Sequence, residues 1–514
     1  MPEANVRIPC QESLWSRLSE ALGAQMGLHF SKARRGDLER GIAAVAPAFG
    51  MASAEACARW LLSAPLTRNQ IEILAGRLTV GETYFFRDKR SFEILEERII
   101  PELLRARAAS ERRLRIWSAG CCTGEEPYSI AILLARMIPD LRDWNISILA
   151  TDIHPSFLHK ASLGVYGDWS FRDTPPGVKE RFFKKTRDGR FEIDDHIKRL
   201  VDFAYLNLAE DSYPSVENGT NAMDVVFCRN VLMYFDLAHA RKILHKLGRA
   251  LLEGGWLFVS PVEVPQVALP QLLPVRFPGA IVHRKENDPP SGQRMPAAAY
   301  LYPPAVPERP IPPSNFHVEE QPAPALPEQR GEIGVVPGPQ RQQAEAPAQT
   351  PYQQAAAWYA QGRYAEAGQE IRGILSRTPN DLAAMALLAR IYANQGRLAE
   401  ASEWCEKALA ADKLNAGCWY LLATIHQEQG LADDAAAALR RALYLDQNNA
   451  LVHFALGNLL RRQGKGKDAA RHFRNALSIL SAYRDAQVLT ESDGITAGRL
   501  AEIIRSTVSS EART

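Results

Sequence analysis

Three short segments carry the side chains best suited to hold a small polar ligand, and each closes an apolar run. Ala119-Gly120-Cys121-Cys122-Thr123-Gly124-Glu125-Glu126 follows LRIWSA (114–119). It bears glycines but has neither the GxGxxG of a dinucleotide turn nor the GK[ST] of a triphosphate loop. Asp152 closes ISILATD (146–152), where a carboxylate can accept hydrogen bonds from both hydroxyls of a ribose. Asn207 and Leu208 end VDFAYLNL (201–208) and could flank an adenine. The three together describe an adenosine-containing ligand held without a phosphate cradle, and S-adenosylmethionine fits that description. Upstream, Thr83 and Arg87 are four residues apart in GETYFFRD and would share a helix face. The polar pair Arg229-Asn230 emerges from MDVVFC (223–228). Each piece has a plainer reading. Thr123-x-x-Glu126 with Pro127 is also a capping box. A strand-end aspartate is often only a turn former, and an arginine most often ends in a surface salt bridge.

Positioning such residues takes a sheet. From residue 114 apolar runs alternate with helical segments at 125–138, 155–162 and 236–252, and GWLFVS (255–260) supplies a fifth run. That alternation predicts an open, mostly parallel α/β sheet, whose ligand lies beyond the carboxyl ends of its strands. Residues 1–80 show three- and four-residue apolar spacing and no clear strands, so a helical domain precedes the sheet.

The chain has 514 residues, too many for one compact unit, and 61 Lys+Arg against 59 Asp+Glu argue against a general nucleic-acid binder. No run is long and apolar enough for a membrane span, and the N-terminus lacks a secretory pattern. Seven scattered cysteines without CxxC suit free thiols in a reducing cytosol, and no Cys/His cluster has metal-ligand spacing. Residues 289–351 hold 16 of the 33 prolines, a composition that cannot bury a core and reads as an extended linker. Beyond it, Gly362, Gly396, Gly430 and Gly464 recur every 34 residues, each followed five residues later by Ala367, Ala401, Ala435 or Ala469. A 34-residue period with Gly at the turn and Ala at the helix crossing is the tetratricopeptide pattern. Residues 491–506 read as a capping helix.

TVGETYFFRD, RIWSAGCCTGEEPYSIA, ATDIHPSFLHKA, the LNL segment and FCRNVLMYF, in that order, resemble the chemotaxis-receptor glutamate methyltransferase family over about residues 10–285. The resemblance implies a multidomain chain. Residues 1–80 would form an all-α receptor-recognition domain. Residues 81–286 would form a Rossmann-like class I methyltransferase domain with a small antiparallel insert at about 180–200. A linker at 287–350, tetratricopeptide repeats forming an α-solenoid at 351–480, and a capping helix and tail at 481–514 would follow. It further implies S-adenosylmethionine as cofactor and γ-methyl esters of receptor glutamates as product. By position, Gly81, Thr83 and Arg87 would border the methionine end of the cofactor, with Glu125 or Glu126 beside them. Asp152 would hold the ribose, Asn207 and Leu208 the adenine, and Arg229 with Asn230 would close the site. Tyr234 would sit near the substrate carboxylate, and Arg87 and Tyr234 are the catalytic candidates.

The stretch Gly27–Arg40 reads as one early helix whose Lys32, Arg34, Arg35 and Arg40 would meet the acidic cytoplasmic helical bundle of a chemoreceptor. Phe182–Ile193 reads as a hairpin turning at Asp188-Gly189, with a loop too short for the pentapeptide-binding form of the family. The repeats would recruit a protein or peptide. Three departures from the family pattern stand out: Gly81 for the usual Asn, Cys122 for a common Ser, and Ser260-Pro261-Val262-Glu263 for Gly-x-Ser-Glu. Gly81 and Pro261 keep open a weakened enzyme acting as a scaffold. A methyltransferase for another acidic protein or a small molecule is the third alternative.

Overall fold

The structure, a computed structural model, describes residues 9–286 and 350–511 apart from 80, 108–111, 210–212, 217, 268, 486 and 491–494. The Pro-rich linker expected at 287–350 therefore lies outside the described residues, Thr350 excepted.

Four helices come first: α1 (Pro9–Met26), α2 (Arg35–Val45), α3 (Ala54–Leu61) and α4 (Arg68–Leu78). Their apolar stripes meet around Trp15, Leu22, Ile42 and Leu74. Ser53 caps α3, and Thr67 with Gln70 closes a capping box on α4. The single helix expected over 27–40 is not formed. Gly27 takes φ +73°, Ser31 is extended, and one 3₁₀ turn at Lys32–Arg34 leads into α2. The break has a packing cause, since a Cβ on Gly27 would lie 1.9 Å from the Phe235 ring.

α5 (Lys89–Ile94) continues through a π turn at Leu95–Ile99 into α6 (Ile100–Arg107). The strands follow: β1 (Arg113–Ala119), β2 (Asn145–Asp152), β3 (Val165–Tyr166), β4 (Phe183–Lys185), β5 (Phe191–Ile193), β6 (Val201–Tyr205), β7 (Met223–Phe227), β8 (Leu251–Phe258), β9 (Leu272–Phe277) and β10 (Ala280–Lys285). Helices α7 (Glu125–Met137), α8 (Pro155–Leu163), α9 (Val178–Phe182), α10 (Asp195–Lys198) and α11 (Leu237–Ala250) connect them. The main sheet has the order β6-β2-β1-β7-β8-β10-β9, with β6 to β8 parallel. Strand order reverses beside β1, which makes the crevice between β1 and β7 the switch point. β3, β5 and β4 form a separate antiparallel sheet, with the hairpin turning at Asp188-Gly189 as its sequence predicts.

The antiparallel pair β9–β10 at the sheet edge was not legible beforehand. Pro274 interrupts the apolar run of β9, which an outermost strand tolerates because one side of its backbone needs no ladder partner.

The repeats are helix pairs: α12 (Pro351–Ala360) with α13 (Tyr364–Arg377), α14 (Leu382–Asn394) with α15 (Leu398–Ala411), α16 (Ala416–Glu428) with α17 (Ala432–Leu445), and α18 (Ala450–Arg462) with α19 (Gly466–Leu480). The turn glycines all have positive φ, between 72° and 79°, and the four periodic alanines have no exposed surface. Asp381, Asn415 and Asn449, also in 34-residue register, cap α14, α16 and α18. The last helix, α20 (Ala497–Glu511), covers the final pair through Leu500 and Ile504. Among the described residues no single helix is long and apolar enough to cross a membrane.

Candidate active site

Each central strand delivers one wall of a cavity of about 470 Å³ at the carboxyl edge of the sheet. After β1 the chain turns at Gly120 (φ +85°), where a Cβ would meet the Val231 methyl at 2.4 Å. Asp152 ends β2 and accepts hydrogen bonds from the backbone N–H of Cys122 (2.8 Å) and of His154 (2.9 Å). The carboxylate thereby ties the β1 turn to the β2 turn. Burial pushes its pKa up to about 6 despite those donors. Asn207 follows β6 and spends its amide on structure: Nδ2 donates to the Gln25 carbonyl (2.9 Å) and Oδ1 accepts from Ala209 N–H (3.0 Å).

Beyond β7 stands an ion triad at the cavity wall. Arg229, 7% exposed, reaches Glu126 (3.2 Å) on one side and Asp88 (3.2 Å) on the other. Glu126 also accepts from Ser118 Oγ (2.8 Å). Burial raises the Glu126 pKa, with Arg229 and Ser118 opposing the rise. The capping-box reading of Thr123-x-x-Glu126 does not hold. Gly124 is the N-cap of α7 with φ +93°, and no side chain caps that end.

Thr83, Arg87, Glu126, Asp152, Asn207, Leu208, Arg229, Asn230 and Tyr234 all line the cavity. Thr83 and Arg87 do so from a turn after α4, not from a helix face. Phe86 and Asp88 have φ near +60°, which no helix continues, and Arg87 Nη1 donates to the Glu82 carbonyl (2.6 Å). Tyr234 sits in a 3₁₀ turn, and burial first of all raises its phenol pKa, so the hydroxyl stays neutral.

Glu125 is elsewhere. It is 1% exposed, and its carboxylate accepts from Thr123 Oγ1 (2.6 Å) and Ser170 Oγ (2.9 Å) under α7. Of the two adjacent glutamates only Glu126 faces the cavity, because neighbours on a helix point about 100° apart. Gly81 does not line the cavity either. A Cβ there would lie 2.3 Å from the ring of Phe157, which lines the wall and stacks on His154 with ring centroids 3.8 Å apart. Glycine is thus what admits the Phe157 ring. Lys32, Arg34, Arg35 and Arg40 are outside the cavity. Asp37 pairs with Arg34 (3.4 Å) and Arg40 (2.5 Å), and Glu39 with Arg35 (2.8 Å).

Several contributors were missed. Met26 and Leu28 close the cavity from the helical domain, held there by His29 N–H donating to the Tyr234 carbonyl (2.8 Å). As lone apolar residues they carry no sequence signal distinguishing them from core. Glu263, wholly buried, accepts from the backbone N–H groups of Asn230 (2.8 Å), Met233 (3.2 Å) and Ser260 (3.0 Å) and from Ser260 Oγ (2.5 Å). It anchors the Arg229–Tyr234 loop to the end of β8. Pro261 takes the second position of the Ser260–Glu263 turn, which suits its fixed φ, and leaves Glu263 in place.

A parallel sheet with a ligand crevice at its switch point, carboxylates at the end of β2 (Asp152) and in the first turn of α7 (Glu126), and no phosphate loop defines an S-adenosylmethionine-dependent methyltransferase of the α/β class. Residues 81–268 match the family described as CheR methyltransferase, SAM binding domain, and residues 359–413 and 420–485 match tetratricopeptide repeat families. A probable chemotaxis protein methyltransferase of Rhizobium etli is 38% identical over 193 residues, 37% of this chain and 70% of that protein. A chemotaxis protein methyltransferase of Borreliella burgdorferi is 29% identical over 261 residues, 50% of this chain and 90% of that protein. The probable biofilm formation methyltransferase WspC of Pseudomonas aeruginosa is 33% identical over 230 residues, 45% of this chain and 53% of that protein. The chain belongs to the CheR chemotaxis methyltransferase family and carries tetratricopeptide repeats, with S-adenosylmethionine as its methyl donor. Among solved structures, MamA from Desulfovibrio magneticus RS-1 aligns with 26% of this chain and 75% of that one at 23% identity, with a TM-score of 0.25, a likeness too slight to bear on the fold.

Proposed function

We propose that the protein methylates glutamate side chains of methyl-accepting chemotaxis receptors to γ-carboxyl methyl esters, with the repeats as its protein-binding part. One observation carries this reading. A single cavity joins the carboxylates of Asp152 and Glu126, the cations of Arg87 and Arg229 and the neutral hydroxyl of Tyr234, with no histidine in its lining. Asp152 would hold the ribose, Asn207 and Leu208 the adenine, and Thr83, Arg87 and Glu126 the methionine end. The bound cofactor supplies an electrophilic methyl group on sulfur. A glutamate is already ionised at pH 7, its unperturbed pKa being ~4.3, so the acceptor needs no general base. The chain's own part is positioning. Tyr234 donates a hydrogen bond to the acceptor carboxylate, Arg87 screens its charge, and Met26, Leu28 and Phe157 keep water out. Outside the cavity, Lys32, Arg34, Arg35 and Arg40 outnumber Asp37 and Glu39, and that excess steers an acidic helical bundle toward the mouth.

The test is incubation of the purified full chain with methyl-labelled cofactor and receptor cytoplasmic domains. Label released as methanol by mild base is the expected result. Label that survives base, or none at all, excludes a carboxyl ester.

Asp152 adds a pH signature. Its folded-state pKa, about 6, is above the 3.8 ordinary for an aspartate, so its ionisation costs folding stability as pH rises through about 6. Ribose hydroxyls donate to the ionised form, so cofactor affinity runs the opposite way. Affinity for the demethylated product, S-adenosylhomocysteine, should fall by up to about tenfold per pH unit below about pH 6. Asp152→Asn should flatten the profile. Titration calorimetry between about pH 5 and pH 8 reads it, and a flat wild-type profile would remove Asp152 from the ribose site.

A further inference from the structure

The last residues of α14, α16 and α18 are Asn394, Glu428 and Arg462, again 34 apart. These three helix ends abut the amino edge of the catalytic sheet, opposite the cavity. Asn221 Nδ2 donates to the Ala393 carbonyl (3.3 Å), and Asn145 Nδ2, at the start of β2, donates to the Glu428 carbonyl (3.1 Å). Asn145 thus reaches a terminal carbonyl of α16, and Asn221 adds a second donor to the Ala393 carbonyl, which also accepts from Gly396 N–H (3.0 Å). The Glu428 side chain, 12% exposed, pairs with Arg115 and lies 3.9 Å from Arg113, two arginines at the start of β1 that are themselves 6% and 5% exposed. Arg462 reaches Asp202 at the start of β6 (3.2 Å). Val216, from the loop before β7, packs among the apolar residues of the repeats.

The electrostatics agree with the geometry. Helix carboxyl ends carry partial negative charge, and here two meet a sheet edge bearing Arg113 and Arg115. Three of the four turn glycines make the same approach. A Cβ would lie 2.3 Å from Arg249 at Gly362, 2.9 Å from Leu252 at Gly396 and 3.1 Å from Asn145 at Gly430, whereas Gly464 has nothing within 4 Å. The connection spans residues 288–350 and, at ~3.1 Å per extended residue, could reach either edge of the sheet. The contacts therefore choose the docking edge, and the tether does not.

We infer that the first protein surface this repeat array binds is the chain's own catalytic domain, with Glu428 keyed between Arg113 and Arg115, so that the array is held on the edge away from methyl transfer and leaves the cavity open. This rests on reading the repeats as protein-binding. An outside partner is left the surfaces this row of helix ends does not use.

Small-angle scattering of the full chain tests it, with Glu428→Arg on the array and Asn145→Arg on the sheet edge as separate variants. Each should raise the radius of gyration by about 5 Å or more as the two bodies part on their tether, with helix content by circular dichroism unchanged. S-adenosylhomocysteine affinity should stay within about twofold of wild type, which separates this result from any failure of the methyltransferase reading. Wild-type scattering from both variants, a wild-type chain that already scatters as two separate bodies, or a compact form with twice the monomer mass that is lost on dilution would each overturn it. The last outcome would place the array on a second copy.

Discussion

Glu263→Ala is expected to lower the unfolding free energy by about 3–5 kcal/mol, the usual cost of stripping a buried carboxylate from its donors. Three backbone N–H groups and the Ser260 hydroxyl converge on that one side chain. Alanine leaves all four without that acceptor, and the two at Ser260, which is 2% exposed, are shut off from water. The loop they hold includes Asn230 at φ +59°, a left-handed conformation that needs outside support even in asparagine. Loss of the anchor should therefore release Arg229 and Asn230 and weaken S-adenosylhomocysteine binding along with stability. Glu263→Gln keeps one acceptor oxygen and should fall between the two. Urea unfolding and titration calorimetry on the same samples read both effects. A Glu263→Ala protein within about 1 kcal/mol of wild type, binding normally, would show the anchor to be dispensable.

Arg229→Ala should cost at least about a hundredfold in affinity for the demethylated cofactor, close to 3 kcal/mol. The guanidinium lies between Glu126 and Asp88, and removing it leaves two carboxylates that repel across a poorly solvated gap. The Glu126 pKa, already raised by burial, should climb further, so Glu126 loses its charge at a higher pH than in wild type. The change is expected to be non-additive. Glu126→Gln in the Arg229→Ala background should recover part of the lost stability, because it removes one of the unpaired charges. Arg229→Lys should do less well than arginine, since an ammonium cannot fork between two carboxylates. Equal ligand affinity in wild type and Arg229→Ala would mean that the ion triad plays no part in the site.

Basic residues at 32–40 show where sequence reading ran short. Their charge was plain from composition, but their placement on one helix starting at Gly27 was not correct: Gly27 turns the chain at the end of α1 beside the Phe235 ring, Lys32 and Arg34 lie in a 3₁₀ turn, and Arg35 and Arg40 lie in α2. Thr83 and Arg87 lie in a turn and not on a helix face, and that turn is tied to distant residues: Phe85 N–H donates to the Ser170 carbonyl (2.9 Å) and Phe86 N–H to Ser129 Oγ (2.9 Å). The capping-box pattern at Thr123 likewise became two glutamates with different partners, the buried Glu125 at Thr123 and Ser170 and Glu126 at Arg229. In each case local spacing was read correctly, and a residue far along the chain decided the outcome.

The amino-acid order alone determined the parallel strands, the crevice at their carboxyl ends, the candidate ribose carboxylate Asp152 and the four-fold repeat. These follow from short-range rules: apolar period, turn chemistry and a fixed 34-residue interval. Tertiary structure alone decided which adjacent glutamate faces the cavity, why position 81 must be small, what anchors the Arg229 loop, and which sheet edge the repeats occupy. Those depend on Arg229, Phe157, Glu263 and Glu428, whose partners are distant in sequence. Burial in a shared interior gives such contacts their strength, and no local pattern records which residues will share it.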